Sequence, residues 1–140
     1  MSEKSLKALA VVLFVSGLWD TFGGIIYAFM VGTGRSIDNP PVHPFYAIFT
    51  ASFFFSFAYL ELLAAFNIRR YLLLIGGVII GRVFYVVLLY YYIFFVPDFP
   101  RTFWFTGIID SFWTICYIVL TLISDEIRLK DLFIPNRGDS

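Results

Sequence analysis

Charge is scarce in this chain: 14% of its 140 residues are Asp, Glu, Lys or Arg, where a soluble domain carries about a quarter. The ten acids and ten bases cancel, and no basic tract or acidic tail occurs, which removes nucleic acid as a partner. One cysteine, Cys116, and one histidine, His43, cannot build a disulfide framework or a His/Cys metal cluster, so neither metal nor cofactor is expected. Asn-x-Ser/Thr sequons are absent. The stretch "GTGRS" (Gly32 to Ser36) lacks the Gly-Lys-Ser/Thr end of a phosphate loop and reads as a turn.

What fills the sequence instead is apolar: 60% of residues are hydrophobic and 21% aromatic, with a mean hydropathy of +0.84. Four apolar runs, roughly Leu6 to Val31, Pro44 to Phe66, Tyr71 to Val96 and Phe103 to Ser124, have the length of about 20 residues that a bilayer core requires. The breaks between them are turn-rich or charged: "GTGRSIDNPPVH", "NIRR" and "PDFPR". The sequence therefore predicts one all-α integral membrane domain, a four-helix up-and-down bundle with short loops and a tail over 125–140. Lys4 and Lys7 ahead of "ALAVVLFVSG" resemble a signal peptide, but the apolar run continues to Met30 and is expected to stay as the first helix.

Lysine and arginine set the expected orientation. Lys4, Lys7, Arg69, Arg70, Arg128, Lys130 and Arg137 make seven on the side of the termini and second loop, against two, Arg35 and Arg101, on the other side. By the positive-inside rule both termini are expected to face the cytoplasm of a cell membrane, expected to be a prokaryotic one. The aromatic groups "YYYIFF" and "FWF", with Phe45 and Tyr46, are expected to form an interfacial belt at the outer ends. After Ser124, "DEIRLKDLFIP" is expected to continue the fourth helix or to lie on the surface with Ile127, Leu132 and Phe133 in the interface, ending at Pro135.

One ionisable residue interrupts each apolar run: Asp20, Glu61, Arg82 and Asp110. Each costs about 2.5 to 3.5 kcal/mol at membrane depth, so such residues face the bundle interior and pair. At about 1.5 Å of rise per residue, Asp20 and Arg82 fall near the midplane, Asp110 about 5 Å outward and Glu61 about 8 Å inward. Arg82 is then expected to reach Asp20 or Asp110, or to turn to Glu61, but not all three. Gly17, Asp20, Thr21, Gly24 and Ala28 share a small-residue face on the first helix, and Gly77 and Gly81 narrow the third. Thr106, Asp110, Trp113, Thr114, Tyr117 and Thr121 share one face of the fourth helix, a polar stripe expected to point into the bundle.

"SGLWDTFGGIIY" (Ser16 to Tyr27) aligns without gaps on "TGIIDSFWTICY" (Thr106 to Tyr117), which sets Asp20 and Asp110 at similar depth on neighbouring antiparallel helices. Three acids against one arginine leave two negative charges, so the sequence implies bound protons, a bound cation or water access. The candidate ligand- or proton-binding residues are Asp20, Glu61, Arg82 and Asp110, with Trp19, Tyr85, Trp113 and Tyr117 around them. Three functions stay open: binding or transport of a small cationic or lipid-like ligand, with possible homo-oligomers; an accessory subunit whose charges specify assembly; or a lipid-modifying enzyme using paired carboxyls. The last has no histidine to activate Ser52, Ser56, Ser111 or Cys116.

Glu61, the basic turn through Arg70, "GGVIIGR" (Gly76 to Arg82) and the acid in the fourth helix resemble small four-helix DoxX-like bacterial membrane proteins; the heavily aromatic "YYYIFF" departs from that pattern. The resemblance implies a fold and a membrane address, not an activity.

Overall fold

The computed structural model describes residues 2–31, 43–124 and 127–134. The expected turn at Gly32 to Ser36, with Arg35, lies outside them, as do Pro135 and Arg137. Among the described residues the architecture is all-helical, with helices α1 (Ser2–Ile26), α2 (Pro44–Phe66), α3 (Leu72–Phe95) and α4 (Trp104–Leu122). A π-turn, Tyr27–Val31, extends α1, and short 3-10 turns occupy Arg101–Phe103 and Leu129–Leu132. All four helices are long and apolar enough to cross a membrane, the signature of a multi-pass membrane protein.

Local chemistry sets the helix limits. Pro44 opens α2 at a position whose amide has no intrahelical partner, and the His43 ring accepts the Phe45 N–H at 3.2 Å as its cap. At the other end Asn67 Oδ1 accepts the Arg70 N–H, closing the tight turn into α3. α3 stops at Phe95, before Val96 and Pro97, and Asp98 follows with a φ of 62°, a left-handed conformation that aspartate tolerates better than most residues. Helix α1 begins at Ser2, ahead of the apolar run that starts at Leu6, because Ser2 to Ser5 carry no helix breaker.

The helices pack in a ring in which α1 meets α2 and α4, and α3 meets α2 and α4. Contact is most extensive between α1 and α2, and glycine is the reason. A Cβ on Gly17 would lie 2.9 Å from Leu62 Cγ and 3.3 Å from the Ala58 carbonyl, and Gly23 and Gly24 receive the rings of Phe54 and Phe55. The small-residue face of α1 thus serves α2. On α3 the expected narrowing holds for Gly81, which abuts the Phe57 ring, but Gly77 faces open space. Gly17→Leu is expected to cost about 1 to 3 kcal/mol through overpacking. Gly77→Ala should instead stabilise by about 0.5 to 1 kcal/mol, since it only improves helix propensity. Melting of both variants in detergent checks the contrast.

Large apolar side chains such as Phe22, Phe29, Phe84 and Phe94 face outward, the arrangement lipid permits and water does not. The buried apolar core instead gathers toward the ends of the bundle that carry Leu9, Leu13, Ala64, Ile68, Ile75, Val78 and Ile79. Ile127 and Leu132 belong to this same core. The tail therefore neither extends α4 nor spreads into the interface: it turns back onto α3, and of its described large apolar side chains only Phe133 and Ile134 stay exposed. Folding back removes two aliphatic side chains from water, worth about 1.5 to 3 kcal/mol each.

Candidate functional site

Arg82 is almost wholly buried on α3, and the three acids close around it from the other three helices. Its Nε and Nη2 both donate to Glu61 Oε1, at 3.1 and 2.7 Å. Nη2 also donates to Asp20 Oδ2 at 2.8 Å, and Nη1 donates to Asp110 Oδ1. The expectation that Arg82 could not serve all three acids is thus overturned. A depth ruler along straight helix axes ignores the reach of the side chains. The planar guanidinium presents donors along separate edges, and the extra methylene of Glu61 carries its carboxylate up to the Nε/Nη2 edge.

Glu61 is the most enclosed acid and the most heavily bonded. Besides Arg82 it accepts the Tyr117 hydroxyl on Oε1 at 2.9 Å and the Ser16 hydroxyl on Oε2 at 2.9 Å, while Ser16 and Tyr117 also touch each other. Four donor contacts on one carboxyl group make Glu61 a pure acceptor, the role of a carboxylate. Asp20 and Asp110 each meet Arg82 through one oxygen. Side-chain exposure rises from 0% at Glu61 to 5% at Asp20 and 15% at Asp110, so the cluster is sealed at Glu61 and opens toward Asp110.

Of the surrounding candidates, Tyr117 enters the network directly. Tyr85 bonds the Thr106 hydroxyl at 2.7 Å, one turn before Asp110, and makes no hydrogen bond to the four charges. Trp113 packs against the apolar core with its indole N–H buried and without a partner among the described residues. Trp19 points outward beside Phe22, about 100° around α1 from its buried neighbour Asp20. Ser16, which the sequence reading passed over, is fully buried at the centre; it lies four residues before Asp20, and that i, i+4 spacing on one helix face is the signal that marks it.

Several other hydroxyls bond within their own helices. Thr114 donates to the Asp110 carbonyl and Thr121 to the Tyr117 carbonyl. Ser52, Ser56 and Ser111 likewise donate to carbonyls four residues back. No group of three His, Cys, Asp or Glu is arranged to hold a metal ion among the described residues, since the three acids point at a guanidinium. Two shallow grooves, of about 230 Å³ along Ala10, Phe14 and Phe66 and about 200 Å³ along Phe49, Phe53 and Phe57, run on the outside of the bundle and do not touch the cluster.

The arrangement can therefore do two things chemically: lock the register of four helices through one cation, and hold protons or a second cation at the two less-bonded acids. Compared with protein-family models, curated proteins and solved structures, the chain matches none.

Proposed function

We propose that this chain is a multi-pass protein of a cell membrane, both ends cytoplasmic, that binds a small cationic or amphipathic ligand at Asp20 and Asp110 in exchange for protons. The observation that carries this reading is the charge balance at the centre: three carboxyl groups share one guanidinium. Arg82 and Glu61 form a neutral pair with Tyr117 and Ser16 as its hydrogen-bonded frame. Asp20 and Asp110 are the surplus, and a surplus of negative charge away from water needs a proton or a cation. The partial opening at Asp110, with the Tyr85 and Thr106 hydroxyls beside it, supports entry from that side.

Binding of a lipophilic cation such as tetraphenylphosphonium to the purified chain tests the proposal. Affinity should fall by about tenfold or more when the acids are protonated at low pH, and by a similar factor in Asp20→Asn and Asp110→Asn. Affinity indifferent to pH and to both substitutions sinks it. The assembly reading is favoured by a different observation, the saturation of Arg82 by its three partners with no groove reaching it among those described. On that reading the same two variants lose oligomeric state or melting temperature, and no cation binds at any pH.

A further inference from the structure

The tail seats on α3 through a notch that only glycine provides. A Cβ on Gly76 would lie 1.8 Å from the Leu132 carbonyl oxygen and 2.7 Å from its carbon, so any other residue there displaces the tail backbone. Leu132 and Ile127 are buried to 1% and 3%, and the turn is held by Asp131 Oδ2, which accepts the Arg128 N–H at 3.1 Å. Above this seat, Ile79 and Arg82 follow Gly76 at i+3 and i+6 along α3. Gly76 stands about 9 Å below Arg82 along the helix axis. Apolar core that includes Ile79, between Gly76 and Arg82 along α3, and Leu13, one turn before Ser16, thus separates the tail seat from the Glu61–Arg82 pair.

None of the polar contacts to Arg82 or Glu61 comes from the tail among the described residues. The charged centre can therefore keep its bonds while the tail leaves. We infer that Ile127–Leu132 is a removable cork, and that its release from the Gly76 notch admits water to the apolar layer beneath the charged centre from that end of the bundle. The alternative, a tail that is one more piece of a single cooperative core, predicts that it cannot leave without unfolding the rest. This inference stands on packing alone, whether or not the centre takes a ligand.

The test uses the full chain in a Cys116→Ser background, with Ile79→Cys as reporter below the centre and Ala47→Cys, fully buried near the start of α2, as control. A water-soluble maleimide should modify the Ile79→Cys site slowly in the otherwise unchanged chain. Gly76→Leu, and separately Leu132→Ser, should each speed that reaction by about tenfold or more while the Ala47→Cys site stays protected, the mark of local opening. Unchanged labelling of Ile79→Cys in both variants overturns the inference. So does an equal rise at both reporters, since the tail would then be inseparable from the global fold.

Discussion

Arg82→Gln is expected to destabilise the chain in detergent by about 3 to 5 kcal/mol, the cost of leaving buried charges without their partner. The substitution leaves three carboxyl groups from three helices facing one another at a depth where water cannot screen them, so the helices must separate or the acids must take up protons. Equilibrium unfolding in detergent measures the loss, and a variant as stable as the parent would show that the bridges contribute nothing. Adding Glu61→Gln to Arg82→Gln should recover about half of the loss, because contacting charges are coupled rather than additive. Arg82→Lys restores the charge but not the fork: an ammonium group cannot span donors to Glu61, Asp20 and Asp110 together, and about 2 kcal/mol should remain lost.

The second large effect lies in the difference between the acids. Glu61→Leu is expected to cost about 3 to 5 kcal/mol, since it strips Arg82 of its doubly bonded partner and takes the charged acceptor from the buried Tyr117 and Ser16 hydroxyls, which keep only each other and the Leu13 carbonyl. Asp110→Asn should stay within about 0.5 kcal/mol of the parent or exceed it. An asparagine carbonyl still accepts from Arg82 Nη1, and one of the two surplus negative charges is gone. Asp20→Asn belongs between them, as its exposure does. If Asp110→Asn proves as damaging as Glu61→Leu, the division of the centre into a bonded pair and two exchangeable acids is wrong. The same ranking separates stability from function: a stable Asp110→Asn chain that no longer couples cation binding to pH keeps the proposed role, whereas a stable chain with unaltered binding removes it.

Much of this was legible without coordinates. Four apolar runs of spanning length predict four helices, and Asp20, Glu61, Arg82 and Asp110 mark themselves because each is costly where it stands. Composition and depth carry that information, and both are properties of the linear chain. Less legible was which side chain meets which. Trp19 looked like a site residue because it adjoins Asp20 in sequence, yet successive helix positions turn by about 100° and Trp19 faces outward. Ser16 carries no cost signal of its own in an apolar run; its spacing from Asp20 marks the shared face, and the approach of Glu61 and Tyr117 gives it a role.

By itself, then, the sequence determined an all-helical multi-pass chain with charges that must be paired in its interior, because burial of charge and the length of an apolar run are decided residue by residue. Tertiary structure alone decided that Arg82 serves all three acids, that the glycines of α1 admit α2, and that the tail folds back onto Gly76. Those outcomes depend on sub-ångström fit between side chains from different helices, and no periodicity along one chain encodes the distance between two of them.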